Sequence, residues 1–219
     1  MTDPAEFVRA HTTVATAPLV PELPLHLATE ITPIWHATEA WLAAQCAPPF
    51  WAFAWPGGQA LARHILDHPR TVAGRRVLDF ASGCGIAALA AARAGAAQVL
   101  AAEIDPLAGA AIAANAALNG VTLTITLADL VATPLAEPAP VWDLILCGDV
   151  CYEAPMTRHI LPWLQALANR AEIWVADPGR AYLPRQGLRE FARYTVPTSL
   201  ELEDRTVRDV TLYRMLATG

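Results

Sequence analysis

Five acidic residues each close a short apolar run: Asp79, Glu103, Asp129, Asp149 and Asp177. The first sits in Val77-Leu78-Asp79-Phe80-Ala81-Ser82-Gly83-Cys84-Gly85, which reads as a buried strand running into a turn of small residues. About twenty residues on, Ala102-Glu103-Ile104-Asp105 ends a second run in a carboxylate. A turn without bulky side chains lets the backbone approach a ligand, and a carboxylate one strand over can accept two hydrogen bonds from a ribose diol. Glu103 is the candidate for that diol. Asp105 is second, because its place before Pro106 suits a helix cap. Asp129 is placed to accept from the exocyclic amine of an adenine. Asp79, with the turn at Gly83 and Gly85, would face an ammonium at the far end of a nucleoside cofactor. A lone G-x-G is common, so the three-part spacing of Asp79, Glu103 and Asp129 carries more weight than the glycines.

Gly148-Asp149-Val150-Cys151-Tyr152 is more particular. Asp149 and Tyr152 follow an apolar run where an acceptor would sit beside the cofactor. A lysine ammonium, with a free pKa of about 10.4, has no lone pair until it loses a proton. Asp149 could hold and orient such an amine, and Tyr152 could hydrogen-bond to it or pack on its stem. The D-x-x-Y form lacks the two prolines of the N/D-P-P-Y loop used on exocyclic amines of bases.

The elements that must position these residues follow from the pattern. Strands are predicted at 76–80, 98–103, 121–127, 142–147 and 172–176, alternating with helices after Gly85, after Asp105-Pro106 and over about 155–170. That alternation implies a parallel sheet covered by helices on both faces. A shorter helix is predicted over about 185–193. Two strands, 195–203 and 210–216, would follow, joined by the charged turn 204–209. A closing antiparallel hairpin is what a class I methyltransferase sheet has, whereas a dinucleotide oxidoreductase repeats its β-α unit. Ahead of this, residues 1–50 form a proline-rich arm, with a short helix near Pro4, an extended Val20–Leu27, and a helix over 38–45 carrying Trp41. Trp51, Phe53 and Trp55 alternate, which predicts an extended segment with one aromatic face. Gln59 to His68 reads as a helix on which His64 and His68 are surface residues.

The 219 residues are 54% hydrophobic, enough for one core, so residues 1–219 read as one domain, an arm over 1–50 and a catalytic core over 51–219. The net charge of −6 argues against a general nucleic-acid binder. Cys46, Cys84, Cys147 and Cys151 have neither CxxC nor zinc spacing and read as buried hydrophobes in a reducing compartment, with no metal. No apolar run reaches the ~20 residues of a membrane span, and no secretory signal is visible.

Phe50-Trp51-Ala52-Phe53-Ala54-Trp55-Pro56-Gly57-Gly58-Gln59-Ala60-Leu61, the Asp79 turn, Glu103-Ile104-Asp105-Pro106 and Gly148-Asp149-Val150-Cys151-Tyr152 together resemble the D-x-x-Y protein lysine methyltransferases of the seven-β-strand class. The W-P-G-G-Q-A-L block and the upstream Pro21–Leu27 segment are most similar to the branch acting on the β subunit of the electron transfer flavoprotein. The resemblance covers residues 20–180 and implies a Rossmann-like fold with S-adenosyl-L-methionine as cofactor. By analogy Trp55, Gly57, Asp79, Ala81, Gly83, Gly85, Glu103 and Asp129 would hold the cofactor, and Asp149 with Tyr152 would be catalytic. Ala81 departs from the usual D-x-G-x-G-x-G turn. The resemblance further implies a soluble, monomeric enzyme with a protein substrate, and the reducing-cytosol reading of the cysteines makes it cytoplasmic. The alanine-rich composition and short length point to a bacterial member without a transit segment, for which a ribosomal protein is a second possible substrate. The N-terminal arm and Arg180 to Arg185 are candidates for gripping that protein. Three other readings stay open: a small-molecule N-methyltransferase acting on a nicotinamide-like amine, a cofactor-binding module without catalysis, and a nicotinamide oxidoreductase.

Overall fold

In the computed structural model, residues 3–29, 33–34, 36–37, 48–133 and 142–217 are described. The helix expected over 38–45, Trp35, Trp41 and Cys46 lie outside them.

The organising layer is a seven-stranded sheet of order β5-β4-β3-β6-β7-β9-β8. Its parallel strands are β3 (Arg76–Phe80), β4 (Gln98–Ala102), β5 (Thr124–Thr126), β6 (Leu144–Gly148) and β7 (Glu172–Asp177). β8 (Leu188–Pro197) and β9 (Val207–Met215) close it as an antiparallel hairpin. The chain builds β3, β4 and β5 outward, then returns to lay β6 on the other side of β3. That reversal leaves a crevice at the carboxyl ends of β3 and β6, where open α/β sheets take ligands.

The central strands are apolar on both faces because helices cover both. Val77, Leu144, Leu146 and Trp174 point to one core, and Leu78, Ile145, Cys147 and Ile173 to the other, as period-two alternation requires. The first core is closed by α2 (Pro56–Asp67), α3 (Ile86–Arg93) and part of α4 (Pro106–Asn119); the second by α5 (Ala154–Leu167). Asp105 caps α4, its side chain accepting from the Leu107 N–H at 2.8 Å.

The hairpin of the arm belongs to the first core, and its first helix to a third cluster with Trp51 and Phe53. After α1 (Pro4–His11), β1 (Thr13–Ala17) pairs with β2 (Val20–Leu27) in a separate antiparallel hairpin. Leu23 and Leu25 are fully buried in that core. The His26 N–H donates to Asn115 Oδ1 at 2.6 Å, and Asn119 Nδ2 donates to the Pro24 carbonyl at 2.7 Å. A proline-broken strand thus finds partners for its polar groups on α4.

Three expectations are corrected. Residues 188–197 are strand rather than the helix predicted near 185–193, and the connection to β9 holds a single helical turn, α6 (Leu200–Glu203). Pairing with β9 outweighs the helical propensity of Leu188-Arg189-Glu190. The aromatic block is extended only in part: Phe50–Ala52 form a 3₁₀ turn that buries Trp51, while Phe53 and Trp55 keep extended backbone and line the crevice. His64 is not a surface residue. It is 9% exposed, its Nδ1 lies 2.9 Å from the Tyr194 hydroxyl, and burial pushes its pKa down to about 4.

Candidate active site

At the end of β3, Asp79 is 3% exposed and ties the turn to the next helix. The Ser82 hydroxyl and the Ala88 N–H both donate to its Oδ2, the latter at 3.0 Å. Burial pushes its pKa up to about 7 despite those hydrogen bonds, with Glu103 adding to the rise. Ala81, Gly83 and Gly85 all take positive φ, at 53°, 57° and 82°. Gly85 also packs closely, since a Cβ there would meet the Ile112 side chain at 3.1 Å. Gly83 faces open space, with nothing within 4 Å of such a Cβ.

The open space is a solvent-open cleft, its walls including Phe53, Trp55, Asp79, Ala81, Gly83 and Gly148. Glu103 is not one of the lining residues but is tied to the cleft through the Gly83 turn. The Gly83 N–H donates to Glu103 Oε1 at 2.7 Å and the Ile104 N–H to Oε2 at 3.1 Å. A carboxylate offers about four acceptor positions, so roughly two remain for a vicinal diol. Burial raises the pKa of Glu103 as well. Ile104 stands 69% exposed beside it. Asp129 is not brought into the cleft wall. Its Oδ1 caps its own turn through the Val131 and Ala132 N–H groups at 2.9 and 3.0 Å, and His159 lies 3.9 Å from Oδ2. The cleft, its small-residue turn and the two-point-held Glu103 fit S-adenosylmethionine.

One residue past Gly148 the chemistry changes. Asp149 is 8% exposed and sits at φ 55°, a left-handed conformation. Its Oδ2 accepts from the Gly57 N–H at 2.5 Å and its Oδ1 from Arg180 Nη2 at 3.1 Å. Trp55, the residue before α2, offers no side-chain cap, so Asp149 caps that helix from across the sheet. Only glycine permits this: a Cβ on Gly57 would lie 2.5 Å from Asp149 Oδ2 and 2.7 Å from the Ala176 carbonyl. Gly57 therefore serves Asp149, and its neighbour Gly58 lines the cleft in its place.

Burial pushes the Asp149 pKa up to about 6, while Arg180 and the Gly57 N–H pull it down. Arg180 also donates to both oxygens of Glu203, which is 4% exposed and receives Arg208 Nε at 2.9 Å. Arg180 was expected as part of a substrate grip. Its guanidinium instead points inward. The expectation failed because nothing local announces a partner that lies 23 residues away. Tyr152 is 38% exposed and edge-on to Phe50, with ring centroids 5.2 Å apart. Phe50 in turn meets Trp55 at 5.7 Å, so one aromatic wall joins the cleft to the Asp149–Tyr152 corner. Burial raises the Tyr152 pKa to about 12, which keeps it a neutral phenol.

The fold and this paired site define a class I S-adenosylmethionine-dependent methyltransferase. Solved structures agree on the fold: a putative RNA methyltransferase from Pyrococcus horikoshii superposes at TM-score 0.57 with 14% identity over 100% of this chain and 99% of that one. The family model for ribosomal protein L11 methyltransferase (PrmA) matches residues 61–148. The electron transfer flavoprotein β subunit lysine methyltransferase of Xenopus laevis is 37% identical over 220 residues, 97% of this chain and 87% of its own. That of Danio rerio is 37% identical over 193 residues, 85% and 72%. The chain belongs to the electron transfer flavoprotein β subunit lysine methyltransferase family.

Proposed function

We propose that this enzyme methylates the ε-amine of one or more lysines on the β subunit of an electron transfer flavoprotein. One observation carries the reading: the cofactor cleft and a buried carboxylate meet at consecutive residues, Gly148 and Asp149, with Tyr152 at the mouth. The family's named substrate supports the choice of protein.

Bound in the cleft, S-adenosylmethionine supplies a methyl group on a cationic sulfur. The chain supplies alignment and an amine with a free lone pair. Glu103 and the Gly83 turn fix the nucleoside end. Phe53 and Trp55 keep water from the cleft. Asp149 accepts hydrogen bonds from the incoming lysine nitrogen and orients it. The aromatic wall of Phe50, Trp55 and Tyr152 desolvates that nitrogen, which favours the neutral amine over the ammonium.

The purified chain, the methyl donor and a recombinant flavoprotein β subunit make the test. Mass spectrometry is expected to find methylated lysine on the β subunit, and Asp149→Ala is expected to abolish it. Labelling of other proteins in a lysate with none on the β subunit would sink this substrate. The match of the L11 methyltransferase model favours a ribosomal protein as the second reading. It spans the donor half of the site, though, so it speaks to the cofactor rather than the acceptor. The same proposal takes the enzyme as a cytoplasmic monomer with neither nucleic acid nor membrane as partner. The net charge of −6 and the D-x-x-Y form support this. Among the described residues no helix is long and apolar enough to cross a membrane.

A further inference from the structure

The group beside Asp149 that the reaction leaves unexplained is Arg180. We propose that Arg180 is a positioning residue of the acceptor site: together with the Gly57 N–H it pins both Asp149 oxygens, so that a lysine nitrogen meets an oriented carboxylate. This rests on Asp149 being the acceptor-side carboxylate of the proposed function.

Three carboxylates hold Arg180, one at its backbone and two at its guanidinium. At its root, the Gly179 and Arg180 N–H groups both donate to Asp177 Oδ1, at 2.7 and 2.6 Å, fixing where the side chain leaves the backbone. At its tip, Nη1 donates to Glu203 Oε2 at 3.0 Å, and Nη2 serves both Glu203 Oε1 and Asp149 Oδ1. Glu203 is fixed in turn by Arg208, whose Nε reaches its carboxylate and whose Nη2 reaches its carbonyl, each at 2.9 Å. Leu202 anchors that helical turn on the cluster of Phe7, Trp51 and Phe53. The β8–β9 connection is thereby built into the acceptor site.

Carboxylates outnumber cations around Asp149. Asp149 and Glu203 share Arg180, Glu203 and Asp204 share Arg208, and Asp177 faces Arg180 as well. Gly57 approaches Asp149 from α2, Arg180 from the loop after β7 and Glu203 from α6, while Cys151 lies on its own segment with Asp177 beyond it. Of about four acceptor positions on the carboxylate, two are taken and roughly two remain for an amine. All fifteen basic residues of the chain are arginine, so this cation stays charged at every working pH.

The test compares R180Q and R180K with the wild type. Carbon-13 NMR of the Asp149 carboxyl, assigned with D149N, is run on the full chain without acceptor. Its midpoint is then scored even if the flavoprotein subunit proves to be no substrate. Removing an opposite charge at this distance moves a carboxyl up by about 1–3 units, so R180Q is expected to raise the Asp149 midpoint by that amount. Starting from a midpoint of about 6, kcat/KM at neutral pH then falls about 2- to 100-fold, with the acid limb moved to match. Cofactor Kd by calorimetry stays within about twofold, because Arg180 does not line the cleft. R180K is expected to return the midpoint and to recover only part of kcat, since one ammonium cannot hold Asp149 and Glu203 in a planar fork. An unmoved midpoint and acid limb in R180Q would overturn the inference, as would an R180K midpoint no lower than that of R180Q. Should R180Q fail to fold, R180K decides alone: a reduced kcat with cofactor Kd kept supports the inference, and an unchanged kcat overturns it.

Discussion

The ends of β3 and β4 and the ends of β6 and β7 lie side by side, yet they hold their carboxylates in opposite ways. On the donor side, Asp79 and Glu103 are held by nearby groups: Ser82, Ala88, Gly83 and Ile104. Glu103 and Gly83 are 20 residues apart, one β-α unit. On the acceptor side, Asp149 is held by Gly57 from 92 residues upstream and by Arg180 from 31 downstream, and Arg180 by Glu203. The donor half uses neutral donors, three backbone N–H groups and the Ser82 hydroxyl, which suits a cationic cofactor that brings its own charge. The acceptor half uses an ion network, where loss of one arginine leaves an uncompensated buried charge. A local, neutral site should tolerate single changes. A networked one should not.

The comparison is broken most severely at glycine. Gly57→Ala drives a Cβ to 2.5 Å from Asp149 Oδ2 and 2.7 Å from the Ala176 carbonyl. We expect it to cost about 4 kcal/mol or to prevent folding. Gly83→Ala meets nothing within 4 Å and bears only the penalty of φ 57°; about 1 kcal/mol is expected. Urea denaturation of the two variants checks the difference. Equal losses would deny the contrast between the two halves.

The next effect is in pH. The folded pKa of Asp79 is raised to about 7 from an ordinary 3.8, so the folded state binds its proton more tightly than the unfolded state does. Its contribution to stability is fully present below about pH 4 and is lost as pH rises through about 7. Asp79→Asn is expected to remove a slope worth about 3 kcal/mol across that window, visible as a melting temperature that no longer falls from this cause. A variant whose profile keeps the wild-type slope would show that Asp79 is ionised in the folded protein.

Smaller is Glu103→Gln. A hydrogen bond to a charged group contributes about 1.5–3 kcal/mol, so cofactor Kd should weaken by about 10- to 150-fold. Stability should fall by about 1 kcal/mol, because the Gly83 N–H can still donate to the amide oxygen while the Ile104 N–H loses its acceptor. Calorimetry against the methyl donor checks it, and an unchanged Kd would remove Glu103 from the donor site. The smallest effect is Ala81→Gly. Relief of φ 53° outweighs the entropy of the added glycine, and a gain of about 0.5 kcal/mol is expected from chemical denaturation.

The sequence by itself determined the order of strands and helices from β3 to β7, the small-residue turn after Asp79, the carboxylate at Glu103 and the family, but not the β1 strand. These follow from periodicity and from contacts within one β-α unit, where spacing along the chain is nearly spacing in space. Leu188–Pro197 was misread because its pattern suits a helix, and pairing with β9 decides it. His64 was misread because the aromatic packing that buries it comes from Trp174, Phe191 and Tyr194, more than a hundred residues downstream. Only the tertiary structure decided that Gly57 belongs to Asp149, that Arg180 turns inward and that Glu203 anchors it. Those partners sit on α2, on the loop after β7 and in the β8–β9 connection. They come together only when the sheet reverses direction between β3 and β6, and no local pattern records where a buried charge finds its counter-charge.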